Sequence, residues 1–225
     1  MLLTLSGVLS PTDLEEARSL IGTLGWRDGA ETAGGTARAV KRNQQADLTS
    51  RTGAQLRQLL KPKLERHPVI RAAAQPRQFS KLIISRTGEG GGYGHHVDNP
   101  FMGVGESRLR TDFSFTLFLS DPDTYDGGEL EIELAGMTQS VKLPAGDLVL
   151  YPSTTLHRVA PVSDGMRLAC VGWIESSVPD AAVREILFDL ENLRSSLAGR
   201  LDLQSPEMLV LSKSISNLTR RFGQS

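Results

Sequence analysis

The hydrophobic period of this 225-residue chain changes twice, from helical to alternating and back, and this constrains its fold more than any other feature. Ser10-Pro11-Thr12-Asp13 has the marks of a helix start: a hydroxyl to cap, proline at the first helical position and an acid in the first turn. Leu14, Ala17, Ile21 and Leu24 then form one apolar stripe, which Gly25 ends. Residues 26–46, rich in Gly, Thr and Ala, read as irregular. A second helical stretch is expected over 47–67, with Leu56, Leu59, Leu60 and Leu64 on its apolar side and Pro62 kinking or splitting it.

From residue 77 the period becomes two. Residues 79–84 read as a strand. Phe113, Phe115, Leu117 and Leu119 alternate with Asp112, Ser114, Thr116 and Phe118. Leu130, Ile132 and Leu134 alternate with Glu129, Glu131 and Glu133, a strand wet on one face. Further strands are expected at 138–143, 147–151, 156–162 and 166–175. Asp126-Gly127-Gly128, Pro144-Ala145-Gly146 and Ser163-Asp164-Gly165 punctuate them. After Pro179 the helical period returns through Val183, Ile186, Leu187, Leu190, Leu193 and Leu197. Ser205-Pro206-Glu207 then caps a last helix carrying Leu211, Ile215, Leu218 and Phe222. Helices, strands, helices in that order give an α+β chain whose middle is a two-sheet sandwich or jelly roll. The expected organisation is helical support over 1–76, a β core over 77–177 and a helical C-terminal subdomain over 178–225.

A formal net charge of −1 gives no support for a nucleic-acid or anionic-membrane surface. The single cysteine, Cys170, excludes an internal disulfide and fits a reducing compartment. The short apolar N-terminus lacks the basic region of a secretory signal, and no apolar run approaches the roughly 20 residues of a membrane span. A cytoplasmic protein is expected.

Three of the four histidines, His95, His96 and His157, fall in the strand-rich middle. In an extended backbone His96 and Asp98 project to the same side, bringing one imidazole and one carboxylate to a common point. His157, on the predicted strand Leu156-His157-Arg158-Val159, is the candidate third ligand. Two histidines and one carboxylate leave coordination positions open, as in non-haem iron(II) oxygenases; zinc accepts the same donors. Arg167 follows ten residues later. A three-residue Ser163-Asp164-Gly165 hairpin loop would pair residue 161 with 167 and 157 with 171. His157 and Arg167 would then share a face at an offset of about 13 Å. A two-residue loop would turn Arg167 to the other face. The neighbouring residues have blander readings. His95 faces away from its neighbour's site, and His67 reads as a helix C-terminal cap. Tyr93 and Trp173 read as core residues, Cys170 as a buried small hydrophobe, and Glu129, Glu131 and Glu133 as a solvated face.

With Gly94-His95-His96-Val97-Asp98-Asn99, Tyr125-Asp126-Gly127-Gly128-Glu129-Leu130, the run from Val141 to Pro152 and Leu156-His157-Arg158-Val159, the chain resembles the prolyl 4-hydroxylase-type branch of the 2-oxoglutarate/iron(II) dioxygenases. Within that branch it is similar to the bacterial PKHD-type hydroxylases. Trp26-Arg27-Asp28-Gly29, Thr32-Ala33-Gly34, Val40-Lys41, Arg110-Thr111-Asp112, Leu117-Phe118-Leu119-Ser120 and Phe188-Asp189-Leu190 extend the likeness over nearly the whole chain. The resemblance implies a double-stranded β-helix (jelly roll) core with flanking helices, iron(II) on His96, Asp98 and His157, and Arg167 on the far carboxylate of 2-oxoglutarate. It also implies O2 as oxidant, L-ascorbate as supporting reductant and a link to iron uptake. The sequence departs from the pattern at Thr87, where relatives often carry Tyr after the preceding Arg, at Phe118 and at Arg42, which bears on substrate identity rather than on the metal site. The expected partner is a small-molecule or peptide substrate, with no nucleic acid or membrane. The apolar C-terminal helices are a candidate surface for self-association. Gly88–Gly92 and the loop from Phe101 to Arg110 are candidate lids. Two rival readings are a non-catalytic, cupin-like metal-binding or sensing protein and a structural or carbohydrate-binding jelly roll.

Overall fold

The computed structural model describes residues 1–32, 35–105 and 108–224, with side chains throughout except at 32 and 35–37. The chain runs β1 (Leu3–Leu5), α1 (Pro11–Gly22), β2 (Trp26–Asp28), β3 (Lys41–Arg42), β4 (Gln44–Ala46), α2 (Arg51–Glu65), α3 (Pro68–Ala74), β5 (Pro76–Phe79), β6 (Ile83–Thr87) and β7 (Gly92–His96). It continues β8 (Phe101–Met102), β9 (Leu109–Arg110), β10 (Phe113–Phe118), β11 (Tyr125–Gly127), β12 (Leu130–Leu134), β13 (Met137–Val141), β14 (Leu148–Pro152), β15 (His157–Val159), β16 (Val162–Gly165) and β17 (Arg167–Ser176). Helices α4 (Ala181–Leu197) and α5 (Pro206–Phe222) end it.

Two antiparallel sheets make the core. The larger runs β1-β14-β10-β17-β6-β4-β2, with β5 also on β17, and the smaller runs β13-β12-β15-β7-β3. Strand β10 shows why the larger sheet sits in the middle: all six of its residues are buried. Phe113, Phe115 and Leu117 face outward, where they pack with Ile21 of α1, Leu56 and Leu60 of α2 and Ile70 of α3. Phe118, on the alternate side, packs with Leu130, Ile132, Val149 and Tyr151 between the sheets. The alternation read from the sequence therefore separates a helix-covered face from a sandwich interior, and neither is solvent.

Helix α1 starts as its sequence predicts. Ser10 Oγ accepts from Asp13 N, and the Asp13 carboxylate accepts from Ser10 N, a reciprocal cap. Helix α4 pairs with α5 around Val178, Val183, Leu187 and Ile215, while Ile186 and Leu193 of the expected stripe are exposed. A buried ionic cluster ties this layer to the strands. Asp112 accepts from Arg110 and from Ser176 N, and the Arg184 guanidinium of α4 lies 3.7 Å from it.

Four expectations need correction. Residues 26–46 are not wholly irregular, since β2 and β4 pair with each other and β4 with β6, extending the large sheet. These strands carry no apolar alternation to betray them. The strand expected at 79–84 is two strands, with a break at 80–82 where Ser80 N donates to Trp173 O. Helix α2 is not split at Pro62; it continues to Glu65, so the proline costs a bond only in the last turn. His67 caps no helix C-terminus: it sits at the N-cap of α3 without a side-chain cap bond.

The fifth correction concerns the hairpin proposed between His157 and Arg167. Gly165 does take the left-handed conformation, at φ +75°, and a Cβ there would meet Thr124 O at 2.4 Å. Strand β16, which ends at this glycine, does not fold back onto β17; it pairs with β11 instead. Strand β15 pairs with β12 and β7, and β17 with β10, β6 and β5. The turn carries the chain from the two-stranded β11–β16 ribbon into the large sheet. His157 and Arg167 thus face each other across the sandwich interior, not along one strand pair.

Candidate metal centre

The two imidazoles are brought together by strand register. His96 and His157 are direct partners across the antiparallel pair β7–β15, and their ring centroids are 4.3 Å apart. Directly opposed residues carry Cβ atoms about 5 Å apart on one face, so backbone pairing alone sets this proximity. Asp98 lies two residues beyond the end of β7, on the adjoining loop. Thr111 holds that loop: its Oγ1 donates to Asn99 O at 2.6 Å and its N–H to Pro100 O at 3.1 Å. One donor atom from each of His96, Asp98 and His157 then falls within 4.8 Å of the others, and no other such group of His, Cys, Asp and Glu occurs among the described residues.

Each donor is oriented. His96 Nδ1 contacts Gly94 O at 2.8 Å and His157 Nδ1 contacts Thr155 O at 3.1 Å. A carbonyl only accepts, so both Nδ1 atoms carry the proton and both Nε2 lone pairs are free to bind a metal. Burial and the neighbouring His157 push the His96 pKa down to about 4, which keeps its imidazole neutral at physiological pH. Tyr93 stacks on the His96 ring at 3.6 Å between centroids. Ser114 Oγ donates to Asp98 Oδ2 at 2.6 Å, so its remaining 2.7 Å contact must be a bond received from Ser153 Oγ. Asp98 is therefore held by a chain of two buried hydroxyls.

Arg167 enters from the opposite sheet. It is buried, and its Nε and Nη2 have no hydrogen-bond partner among the described residues. Burial lowers its pKa, opposed by Tyr125, Tyr151 and Glu129 nearby. An unpartnered guanidinium is costly to bury, and this one lines the same cavity of about 170 Å³ as the three metal-type donors. Gly128, at φ +68°, leaves room for it: a Cβ there would sit 3.1 Å from Arg167 Cδ.

The structure thus gathers His96, Asp98, His157 and Arg167 around one cavity and sends His95 outward, 3.6 Å from Glu133. Cys170 is buried, and burial pushes its thiol up to about 12. Tyr93 and Trp173, read as core residues, line the cavity. Ser114, Ser153 and Lys41 escaped the sequence reading. Ser114 had a signal, being one of two hydroxyls in the otherwise apolar run from Phe113 to Phe118. Of the motif stretches, Ala33 and Gly34 lie outside the described residues, as do two residues of the candidate lid between Phe101 and Arg110.

The residues fit the metal and co-substrate that the sequence suggested. Two imidazole Nε2 atoms and one carboxylate form a three-point face, and a buried guanidinium with two nitrogens unpartnered among the described residues faces the same cavity. Residues 82–175 match the family model of the 2OG-Fe(II) oxygenase superfamily. A PKHD-type hydroxylase of Hyphomonas neptunium is 55% identical over 222 residues, 99% of each chain. Another, from Synechococcus elongatus, is 46% identical over the full length of both. Among solved structures, a Trichoplax adhaerens prolyl hydroxylase in complex with a hypoxia inducible factor peptide superposes with a TM-score of 0.59 over 78% of this chain and 83% of that one, at 16% identity. A 2OG-Fe(II) oxygenase family oxidoreductase from Burkholderia pseudomallei superposes with a TM-score of 0.56 over 77% and 84%, at 17% identity. These two establish the jelly-roll fold. No described helix is long and apolar enough to cross a membrane. With 55% and 46% identity over essentially the full length of two PKHD-type hydroxylases, and its own match to the oxygenase family model, the chain belongs to the PKHD-type hydroxylases, enzymes of the iron(II)- and 2-oxoglutarate-dependent oxygenase superfamily.

Proposed function

We propose that this hydroxylase binds iron(II) through His96 Nε2, Asp98 and His157 Nε2, and that Arg167 pairs the far carboxylate of 2-oxoglutarate. Together the bound iron and 2-oxoglutarate supply O2 activation for C–H hydroxylation, with decarboxylation of the diacid to succinate and ascorbate as supporting reductant. The carrying observation is Arg167: a buried guanidinium with two unpartnered nitrogens on a wall of the cavity that holds the triad. Its planar fork suits a carboxylate in a way that a lysine ammonium does not.

The remaining groups position and exclude. Gly94 O and Thr155 O fix the imidazole tautomers, and Ser114 and Ser153 fix the Asp98 carboxylate. Such supporting bonds are worth about 10–100-fold in metal affinity or activity. Phe118, with its ring 5.3 Å below the Arg167 guanidinium, and Tyr151 keep the inner end of the cavity dry. Lys41 and Tyr93 border the imidazole side, where burial and the Asp98 charge push the Tyr93 hydroxyl up to about 12, so it remains protonated.

Anaerobic reconstitution with iron(II), followed by admission of O2 and measurement of succinate, tests this reading. Wild type converts 2-oxoglutarate slowly without a second substrate, and Arg167→Ala does not. Equal succinate from both proteins contradicts the assignment of Arg167. Metal uptake with no succinate from either favours a metal-binding or sensing role.

A further inference from the structure

The interior face of the large sheet continues past the metal donors. Along β17, Arg167, Ala169, Val171 and Trp173 alternate with residues of the helix-packed core, so Trp173 lies about 20 Å along the strand from Arg167. At Trp173 the inner cavity meets a second one of about 710 Å³, and the two share Gln45, Ile83, Met102 and Trp173. Size divides their roles. The inner space, about 170 Å³, is smaller than the roughly 300–1,000 Å³ of ordinary ligand sites. A diacid reaching from Arg167 to the metal takes up most of it. The body of any second substrate therefore has to lie in the outer cavity, which falls within that range.

The outer cavity has a one-sided charge. Arg27, Arg57 and Lys81 line it, and no described Asp or Glu does, in a chain with 26 acids and 25 Lys and Arg. Arg27 and Lys81 are exposed and form no ion pair among the described residues. Asp47 interacts with Arg27 through space, but from outside the cavity lining. Arg57 donates from Nη1 to Leu48 O. At the junction, Trp173 Nε1 is buried without an acceptor among the described residues.

We infer that the oxidised substrate is an elongated small-molecule anion. Its carboxylate, sulfonate or phosphate rests on Arg27, Arg57 and Lys81. An acceptor atom partway along takes the Trp173 N–H, and the far end reaches the metal. The three cations and the Trp173 N–H are side-chain anchors rather than a row of backbone partners, which suits a small anion; peptide binding through its main chain is an outcome of the test. Only the reactive end of this assignment rests on the oxygenase reading; the anion site stands on the outer cavity alone.

The test uses the iron(II)- and 2-oxoglutarate-loaded protein under anaerobic conditions. It is titrated with 1-anilinonaphthalene-8-sulfonate and with its uncharged analogue N-phenyl-1-naphthylamine. The sulfonate should bind about tenfold tighter than the uncharged probe and quench Trp173, an effect that Trp173→Phe removes. Arg27→Ala/Lys81→Ala should weaken the sulfonate about tenfold and leave the uncharged probe unchanged. Lys81→Glu, a fold control at an exposed site, should do the same. Equal affinity for both probes, sulfonate binding without Trp173 quenching, or indifference to both variants overturns the anion site. Displacement of the sulfonate by an acidic hexapeptide but not by a straight-chain dicarboxylate overturns the small-molecule assignment. In parallel, aerobic incubation with a metabolite extract split by charge should yield an oxygen-adduct product in the anionic fraction. Such a product confined to neutral or cationic fractions overturns the substrate class. Sulfonate binding that meets every expectation, with no 2-oxoglutarate consumed in any fraction, upholds the anion site and counts against the oxygenase reading alone.

Discussion

Ser114 is not one of the three metal-type donors, yet Ser114→Ala should weaken iron(II) binding substantially. Its hydroxyl is buried, donates to Asp98 Oδ2 at 2.6 Å and receives from Ser153 at 2.7 Å. A hydrogen bond to a charged group contributes about 1.5–3 kcal/mol, or about 10–150-fold at 1.4 kcal/mol per tenfold. Alanine also leaves the Ser153 hydroxyl without its acceptor and frees Asp98 to rotate away from the two Nε2 atoms. The expected result in an anaerobic iron(II) titration is a dissociation constant raised by about 10–100-fold. Ser153→Ala acts only through Ser114 and should cost a few-fold. Circular dichroism of the metal-free variants separates this from unfolding. An affinity within about threefold of wild type for a folded Ser114→Ala protein would refute the reasoning, because Asp98 would then need no hydroxyl to hold its position.

Three further outcomes concern individual side chains. Arg167→Met removes an unpaired buried charge while keeping bulk, so the metal- and co-substrate-free protein should melt no lower than wild type, while the stabilisation by 2-oxoglutarate disappears; a thermal melt with and without the diacid measures both. Cys170 is buried with its thiol pushed up to about 12, so an aromatic disulfide reagent near pH 8 should leave the native protein unlabelled and modify one thiol per chain on unfolding. Asp13 is held down at about 2 by its bond from Lys63 and then by Ser10. Its folded value lies below the ordinary 3.8, so its stabilisation is complete above about pH 4 and fades as pH falls through about 2. Asp13→Ala should therefore cost about 1 kcal/mol near neutral pH in urea unfolding, and the gap from wild type should close toward pH 2.

Period and spacing carried much of this molecule. His96 and Asp98 were legible because two side chains two residues apart tend to converge at the end of a strand, and His157 because it stood on the only other predicted strand bearing a histidine. What spacing could not convey was pairing. Reading Ser163-Asp164-Gly165 as a hairpin assumed that consecutive strands are neighbours, whereas here the turn moves the chain between sheets. His157 and Arg167 still line one cavity, but from opposite sheets rather than from one hairpin. Strands β2 and β4 were illegible for another reason. Trp-Arg-Asp and Gln-Gln-Ala show no alternation, and their order comes from β4 pairing with β6, β2 pairing with β4, and Arg86 lying 4.1 Å over the Trp26 ring. The supporting hydroxyls were half visible: Ser114 and Thr116 break an apolar run, but only the helix layer outside β10 shows that their side of the strand is the sandwich interior.

The central claim is that three side chains and one guanidinium serve one metal and one diacid. An anaerobic crystal structure of the chain with iron(II) and 2-oxoglutarate tests it most directly. The account predicts one ion bonded at about 2 Å to His96 Nε2, Asp98 and His157 Nε2, with the far carboxylate of the diacid on the nitrogens of Arg167. An ion bound elsewhere, or a diacid whose far carboxylate stands away from Arg167, would contradict it.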